Sequence, residues 1–405
     1  MKILLISTRM GTAGVETLIL RMAKFLKENN YKVDVLLMRE SDRGVADKLR
    51  QYAEVYIGWQ FFKTNKILKN LGKDYYDCIY TYSLFPLIYT MHIKQAYFPN
   101  AKICFGVYHP LEYCWKHKSN NLLARLAARF MKKFPQENIF FMNEGMKERH
   151  SEKLKQNFAQ APIIPIPVDL QQFDNAERIF SVDKPYKIVS IGRIIAFKTY
   201  NFTVLDTLSE LIQRGCEVEY HVYGDGDQFE KLKELVFEKQ LQNVVYLHGP
   251  IPYEDFAKVL KDAFLFIGVG TALVEAAACR VPCLQGIEME PQANSYGFFH
   301  ELTGYNLGEK SLTQPRYNMF DLMLQLMDKD VGDYKRICEL SRNRAQEFDI
   351  RSSMQLFISS CDESKKVDYQ LKKGTIFSAL LNAVFWFFCR KLRLTTPFDT
   401  RYEDE

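Results

Sequence analysis

Short apolar runs alternate with amphipathic stretches along this chain, and this pattern constrains the fold more than any other feature. Such runs predict buried parallel strands that are connected by helices. In the first half of the chain, strands are expected at 2–7, 32–38, 54–57, 78–82, 103–108 and 138–142. In the second half they are expected at 186–191, 217–223, 244–247, 265–268 and 281–285.

A loop rich in Pro and Asp, IPIPVDLQQFDNAE, separates the two series of strands near residue 164. Two series divided by a linker predict two doubly wound α/β domains that face each other, with ligands at the carboxyl ends of the strands. Leu18, Met22 and Leu26 repeat at helical spacing and predict a helix over 16–29. A short final helix is expected around 353–360.

Composition sets the remaining broad limits. The 405 residues, 47% hydrophobic, are enough for two domains with their own cores. The net charge of +5 is mild, and we expect no nucleic-acid partner. The nine cysteines include Cys279 and Cys283, four residues apart, but no second pair or nearby His completes a zinc set. Their odd number and the lack of an export signal predict reduced thiols in the cytoplasm.

The clearest chemical signal lies where the first strand of the second series ends. Gly192 and Arg193 follow that strand directly, and Lys198 comes five residues later. Two cations at a strand end can neutralise a diphosphate. Taken alone, the pair is better explained as two solvated loop cations, so the functional interpretation depends on the motifs that follow.

Further motifs follow the next strands of the second series. Gly224 lies in the sequence Tyr-Gly-Asp-Gly-Asp, and the backbone of His248-Gly249 is placed to hold the edge of a nucleotide base. In the segment GVGTALVEA, glycines permit close backbone approach and the helix N-terminus that follows offers free N–H groups to a phosphate. Glu275, one turn into that helix, can accept hydrogen bonds from ribose hydroxyls.

The ordered set SIGR…K, YGDGD, VYLHG and GTALVEAAACRVP resembles the C-terminal domain of the retaining glycosyltransferases of family four. Residues 13–16, Ala-Gly-Val-Glu, are similar to that family's glycine loop, and IPIPVD at 164–169 to its interdomain segment. The resemblance spans about residues 1–350. It implies the GT-B fold, in which two Rossmann-like domains enclose a cleft, and transfer of a sugar with retention of configuration.

The resemblance also implies a domain plan and a set of site residues. The plan is an acceptor-side domain at 1–170, a nucleotide-sugar domain at 171–345, a helix returning toward the first domain at 346–371, and a basic apolar tail at 372–405. His109, Arg193 and Lys198 are the expected catalytic residues. The residues expected to bind the donor nucleotide and its diphosphate are Gly14, Gly192, Arg193, Lys198, Gly224, His248, Gly249, Gly270, Thr271, Ala272, Leu273 and Glu275.

One position departs from the family pattern. Family members carry two glutamates separated by seven residues, and Glu275 fits the second. The first would fall at position 267, which is Ile267 in this chain. Because the family's first glutamate lies near the donor sugar, sugar contacts and catalysis are the properties that this change affects. Backbone amides of residues 268–272 are one possible compensation.

The resemblance extends to the N-terminal half at single positions. His109, after a strand, is similar to a histidine that family members place beside the donor sugar, although a lone His after a strand is more often structural. Glu112, three residues after His109, is a weaker candidate for the same site. Asn143 and Glu144 stand where relatives show a Ser-Glu pair, and a helix cap is an equal alternative.

Asp225-Gly226-Asp227 has the form of a metal-binding Asp-x-Asp, but its place after a strand favours a turn. We therefore predict no divalent metal and no other cofactor, with a UDP- or GDP-sugar as donor substrate.

Two basic apolar stretches bear on membranes. Residues 115–134 carry six cations beside an apolar face with Leu122, Leu126 and Phe130, which suits either an anionic lipid surface or packing on the first domain. Residues 372–393 combine cations with the aromatic run Phe-Trp-Phe-Phe and favour membrane or partner contact. The apolar run 376–389 is too short to span a bilayer.

These features predict a cytoplasmic glycosyltransferase, peripheral on the inner membrane face, that acts on a glycan or lipid-linked glycan in cell-surface polysaccharide biosynthesis. Two alternatives stay open. The first is a GT-B protein that binds nucleotide sugars without turnover, which Ile267 suggests. The second is another two-domain α/β enzyme, such as a sugar-nucleotide epimerase.

Overall fold

A computed structural model of the chain describes residues 1–9, 14–39, 43–58, 60–109, 112–114, 122–311 and 313–391. The described chain divides into two compact units. Unit 1 consists of residues 1–167 together with the C-terminal residues from 351 onward, and unit 2 consists of residues 168–350. The chain therefore leaves unit 1 once and comes back to it.

Unit 1 is built on a parallel sheet whose strand order is β3-β2-β1-β4-β5-β6. Its elements before residue 167 are β1 Lys2–Ser7, α1 Gly14–Glu28, β2 Lys32–Leu37, α2 Arg43–Arg50, β3 Glu54–Ile57, α3 Phe61–Asn70, β4 Cys78–Tyr82, α4 Leu84–Tyr97, β5 Lys102–Val107, α5 Leu122–Lys133, β6 Ile139–Phe141 and α6 Glu144–Leu154.

The central strands of this sheet are mostly apolar, as expected for a parallel sheet that helices cover. Residues 3–7 of β1 are all buried. The predicted helical repeat is present in α1, where Leu18 and Met22 are 2% exposed and Leu26 is fully buried. Strand order reverses between β1 and β4, which pair directly.

Unit 2 repeats the plan with the strand order β11-β10-β7-β8-β9. Its elements are β7 Tyr186–Ile191, α7 Tyr200–Gln213, β8 Val218–Tyr223, α8 Phe229–Glu238, β9 Val245–Gly249, α9 Phe256–Val259, β10 Leu265–Gly268, α10 Thr271–Ala278, β11 Cys283–Gln285, β12 Asn294–Ser295, β13 Tyr317–Asn318, α11 Met319–Met327 and α12 Val331–Ala345.

The order of strands in unit 2 also reverses once, between β7 and β10. In open α/β sheets, ligands bind outside the carboxyl ends of the strands at such a reversal. The segments after β7 and β10 are therefore the part of unit 2 in which a binding site is expected. The predicted α/β class with two doubly wound sheets is confirmed.

A single arginine fastens the start of unit 2 to its core. The guanidinium of Arg178 donates hydrogen bonds to the carbonyl oxygens of Arg280, Lys261 and Ala263, and to the hydroxyl of Tyr334. Because a guanidinium has five N–H donors in a fixed plane, one side chain satisfies several carbonyls that lie at the ends of different elements.

The C-terminal segment belongs to unit 1, and the extent of its helices differs from the prediction. The helix expected at 353–360 is longer, because α13 spans Ile350–Glu363 with Met354, Phe357 and Cys361 buried along one face. Beyond it, α14 spans Lys373–Lys391. Ile376 and Ala379 of α14 pack in the core of unit 1.

The other face of α14 is apolar and exposed. Phe377, Leu381 and Phe385, one helical turn apart, are 64%, 53% and 58% exposed. Within the described residues, we find no helix whose length and hydropathy would allow it to cross a bilayer.

The basic stretch at 115–134 has a structural explanation in its described part. Residues 115–121 lie outside the described residues, and α5 begins at Leu122. Leu126 and Phe130 of α5 are buried in the core of unit 1, whereas Arg125 and Arg129 are exposed. Of the two alternatives, packing on the first domain is the correct one for this apolar face, so it is not available to lipid.

Candidate functional site

The carboxyl ends of β7, β8 and β9 meet at three glycines. The N–H of Gly192, which follows β7, donates to the carbonyl of Tyr223 at 2.9 Å. The N–H of Gly224, which follows β8, donates to the carbonyl of Gly249 at 2.7 Å. The Gly249 carbonyl thus has a partner within the sheet, and a role for His248-Gly249 in holding a base stays a prediction.

Gly224 and Gly226 permit the loop after β7 to pass directly over them. A Cβ at Gly224 would lie 1.9 Å from the carbonyl oxygen of Gly192, and one at Gly226 would lie 2.0 Å from that of Ile194. Both distances are far below contact, so no side chain fits at either position. The YGDGD motif therefore shapes this loop, and a turn at residues 227–228 leads into α8, where the N–H of Phe229 donates to the carbonyl of Gly226 at 3.2 Å.

That loop carries Arg193 and Lys198. Arg193 is exposed, and Lys198 is half-buried with its Nζ 3.3 Å from the Cβ position of Gly192. Burial lowers the pKa of Lys198, the charge of Arg193 lowers it further, and Glu288 acts in the opposite direction. The two predicted cations thus interact at the end of β7, where an anion would relieve their repulsion.

The N-terminus of α10 lies at the end of the neighbouring strand β10. Gly270 precedes the helix with φ of 72°, a conformation that favours glycine, and its N–H donates to the carbonyl of Leu307 at 2.7 Å. The first turn begins with Thr271 and Ala272, whose N–H groups are at the positive end of the helix. Backbone donors and two cations therefore flank the point where the strand order reverses.

Glu275, one turn into α10, is 4% exposed. Its Oε1 accepts a hydrogen bond from the hydroxyl of Tyr253 at 2.8 Å, and that hydroxyl accepts one from Gln172 Nε2 at 2.9 Å. The carboxylate is held in one orientation by this chain of bonds. No sequence motif marks Tyr253 or Gln172, because neither lies near Glu275 in the chain.

His248 belongs to an aromatic ladder across β8 and β9. Its ring stacks on Tyr223 with centroids 4.3 Å apart, and its Nε2 lies 2.9 Å from Nδ1 of His221. Burial lowers the pKa of both histidines, and for His248 the neighbouring His221 adds to this effect. The ladder keeps the His248 side chain on the face of the sheet, so only its backbone lies at the strand end.

Ile267 lies in the strand that was predicted at 265–268. It lies inside β10, is fully buried in the hydrophobic core of unit 2, and its carbonyl accepts a hydrogen bond from Ser190. Only Val269 and Gly270 separate β10 from α10. Neither residue of this connection carries a carboxyl group.

Glu288 lies in this region and was missed by the sequence analysis. It follows β11, and burial raises its pKa to about 8, with Glu309 acting in the same direction and Lys198 in the opposite one. Its position depends on hydrogen bonds between segments that are distant in sequence, so no local motif marks it.

In unit 1, the structure gives the positions of His109 and Gly14 and shows structural contacts for Glu112 and Asn143. His109 is half-buried just after β5, and Gly14 begins α1; the roles expected of both stay predictions, and Ala13 lies outside the described residues. Glu112 Oε1 accepts a hydrogen bond from the N–H of Leu84 at the start of α4. Asn143 caps α6 by accepting from the N–H of Met146, so the cap alternative holds for Asn143.

Three cysteines of unit 1 come together although they are distant in sequence. Cys78, Cys104 and Cys361 belong to β4, β5 and α13, are buried, and have sulfur atoms within 4.8 Å of one another. All nine cysteines are free thiols, and burial raises the pKa of Cys361. Protonated thiols pack as small apolar side chains, although three sulfurs at this separation also have the chemistry of ligands for a soft metal.

Residues 171–286 match the family described as glycosyl transferases group 1. The chain is also 24% identical over 391 residues to an uncharacterized glycosyltransferase of Methanocaldococcus jannaschii, which covers 85% of this chain and 94% of that protein. A segment of 118 residues is 33% identical to the GPI3 subunit of phosphatidylinositol N-acetylglucosaminyltransferase of Saccharomyces cerevisiae, covering 27% of this chain and 25% of that one.

Among solved structures, the Anabaena protein HepE in complex with UDP-glucose is similar over 90% of this chain and 100% of its own, with a TM-score of 0.65 and 16% identity. This likeness shows the fold, which is that of GT-B glycosyltransferases. Together with the match of residues 171–286, the comparisons support a glycosyltransferase of group 1.

Proposed function

We propose that the chain transfers a sugar, with retention of configuration, from a UDP- or GDP-sugar to a glycan or lipid-linked glycan in cell-surface polysaccharide biosynthesis. The observation that carries this proposal is the meeting of Arg193, Lys198 and the N-terminus of α10 at the strand reversal of unit 2. UDP-glucose is bound by the Anabaena protein that shares the fold.

The geometry provides for the leaving group. As the bond to the sugar breaks, negative charge grows on the departing diphosphate, and fixed cations and backbone N–H groups stabilise that charge most in the transition state. We assign this role to Arg193, Lys198 and the amides of Thr271 and Ala272. Glu275, oriented by Tyr253, holds the ribose, and His109 orients the reacting sugar.

The test is turnover by the Arg193→Ala variant in the full chain. Loss of one cation that acts on the transition state should lower the rate by about a hundredfold or more, with unchanged circular dichroism because the side chain is exposed. Arg336→Ala is the matched control, since Arg336 is a 72% exposed arginine on α12 of the same unit. Release of nucleoside diphosphate is measured with a panel of UDP- and GDP-sugars. Wild-type rates in Arg193→Ala would contradict the assignment.

One observation favours a second function. Since a buried Ile267 stands at the position of the family's first glutamate and the connection after β10 carries no carboxyl group, the protein is also compatible with nucleotide-sugar binding without turnover. Tight binding of a donor without release of nucleoside diphosphate in the presence of acceptor extracts would support that function. An epimerase would instead interconvert the sugar nucleotide without any acceptor.

We further propose that the enzyme is cytoplasmic and peripheral on the inner membrane face, where α14 contacts anionic lipid. The apolar stripe of Phe377, Leu381 and Phe385 supports this. Deletion of α14 is a poor test because Ile376 and Ala379 are part of the unit 1 core. Replacing the three stripe residues with serine should release the protein from anionic liposomes in a sedimentation assay. Phe237→Ser, at a 71% exposed phenylalanine of unit 2, is the control, and equal sedimentation of all variants would refute the proposal.

A further inference from the structure

The short connection between β10 and α10 raises the question of which side chain contacts the donor sugar. Backbone hydrogen bonds join two segments, 286–290 and 307–309, to this connection and to the end of β10. The N–H of Gly286 donates to Gly268 at 2.9 Å, and the N–H of Gly270 donates to Leu307 at 2.7 Å. The start of α10 therefore lies beside the segments 286–290 and 307–309.

Glu288 is at the centre of this arrangement. Its own N–H donates to the carbonyl of Gly308 at 2.8 Å, and the N–H of the next residue, Met289, donates to the carbonyl of Phe197 at 2.8 Å. Phe197 directly precedes Lys198. The backbone at Glu288 and Met289 is thus fixed between two segments: the loop after β7, which carries Phe197 and Lys198, and the segment 307–309.

In the part of the chain that the structure describes, the carboxyl group of Glu288 makes no hydrogen bond or ion pair with the charged groups around it. Lys198, Glu309 and the hydroxyl of Tyr200 are its electrostatic neighbours. Glu309 is engaged elsewhere, since its Oε2 accepts a hydrogen bond from the N–H of Leu307. Within the described residues, no ion pair or hydrogen bond joins the Glu288 carboxyl group to Lys198 Nζ, although the two groups interact.

Burial raises the pKa of Glu288 to about 8. Near neutral pH the carboxyl group is therefore largely protonated, and it offers one O–H donor together with acceptor oxygens. A group with both capacities is suited to the hydroxyls of a sugar, which also donate and accept. A half-buried carboxyl group that leaves hydrogen-bonding capacity unused costs stability, so beside the proposed diphosphate site it points to a function.

We propose that Glu288 forms the donor-sugar subsite of this protein by hydrogen bonding to hydroxyl groups of the transferred sugar, a task that no side chain of the β10–α10 connection can perform. The inference rests on the proposed function. Lys198 then contacts the diphosphate on one side of this subsite, while Glu288 contacts the sugar. In this proposal a carboxyl group still contacts the sugar, as in the family pattern, but it belongs to the segment after β11.

The experiment compares free and sugar-bearing nucleotides on the full chain. Calorimetric titrations with UDP, UDP-glucose, GDP and GDP-mannose give the affinity that the sugar adds for wild type, Glu288→Gln and Glu288→Ala. Glu254→Gln, at an exposed position of unit 2, is the matched control. Both Glu288 variants should bind the free nucleoside diphosphate as wild type does, and Glu288→Ala should lose about tenfold in the additional affinity from the sugar.

Glu288→Gln, which keeps one donor and one acceptor, should lose less than Glu288→Ala. In wild type the contribution of the sugar should change as the pH passes through about 8, whereas in Glu288→Gln it should be flat. Equal loss for free and sugar-bearing nucleotides would overturn the subsite, because Glu288 would then act on the diphosphate through Lys198. No loss in either variant would also overturn it. If wild type binds no nucleoside diphosphate, the proposed function itself fails.

Discussion

Gly224 is the residue whose replacement the structure evaluates most directly. In a Gly224→Ala variant, the new Cβ would lie 1.9 Å from the carbonyl oxygen of Gly192, and ordinary contact begins at 3.4 Å. The ends of β7 and β8 must therefore move apart by about 1.5 Å, which breaks the van der Waals contacts and hydrogen bonds that join them. The backbone at 224 also has φ of 148°, which L-residues rarely adopt.

The two effects differ in size. Unfavourable φ alone costs about 1–2 kcal/mol, whereas forcing an atom into backbone contact typically adds about 1–3 kcal/mol or more. Gly215→Ala separates them, because Gly215 has φ of 80° but no atom within 4 Å of its Cβ position. We expect a loss in unfolding free energy of about 3–5 kcal/mol for Gly224→Ala and about 1–2 kcal/mol for Gly215→Ala.

Urea denaturation followed by circular dichroism measures both variants. A titration with nucleoside diphosphates then shows whether the displaced loop still binds, and we expect weaker binding only for Gly224→Ala. If the two variants were equally stable, the close approach of the loop after β7 to Gly224 would be refuted, and with it the explanation given for the YGDGD motif.

Three further predictions follow from single contacts and one titrating group. Arg178→Lys should lower the unfolding free energy by about 3–5 kcal/mol, measured by denaturation, because an ammonium group cannot satisfy the carbonyls of Arg280, Lys261 and Ala263 together; a loss near zero would contradict this. Tyr253→Phe removes the hydroxyl that orients Glu275, and should weaken nucleotide-sugar binding by about three- to tenfold in calorimetry, whereas unchanged affinity would argue against Glu275 as the ribose ligand. Because the folded state raises the pKa of Glu288 to about 8 from 4.5, folding favours its protonated form, and this stability is lost as the pH rises through that window. Below about pH 4, the unfolding free energies of wild type and Glu288→Gln should therefore differ by a constant amount. Between about pH 4 and pH 8, wild type should lose stability relative to the variant by on the order of 1 kcal/mol per pH unit. Parallel curves over this range would contradict the raised pKa.

The parallel strands could be predicted from the sequence because their burial leaves a local mark. Runs such as those of β1, β4 and β7 are apolar on both faces, and their bounds agree with the predicted ones. Helices were harder to bound. The apolar residues Met354, Phe357 and Cys361 of α13 are separated by polar ones, so the pattern showed only the middle of the helix.

For α5 the sequence could not distinguish two environments, because a basic amphipathic helix has the same pattern on a lipid surface and on a protein core. Only the burial of Leu126 and Phe130 decides between them. At Ile267 the sequence predicted the strand but could not show that the side chain is fully buried in the core of unit 2.

The sequence could place Arg193, Lys198 and Gly270 in one region of unit 2 because each follows a strand end, whereas their role in binding a diphosphate stays a proposal. The partners that orient the site residues could not be placed in this way. Tyr253 reaches Glu275 from a separate segment, and Glu288 is placed by backbone bonds to Phe197 and Gly308. Contacts of this kind arise from the strand order of unit 2, which a list of strands does not reveal.

The central claim is that unit 2 binds a nucleoside diphosphate where its strand order reverses. A crystal structure of the full chain with the UDP- or GDP-sugar that binds best in a thermal-shift panel tests it most directly. We expect the two phosphates within hydrogen-bonding distance of Arg193, Lys198 and the first amides of α10, with the ribose at Glu275 and the sugar at Glu288. A diphosphate bound at any other strand end, with Arg193 and Lys198 in solvent, would contradict it.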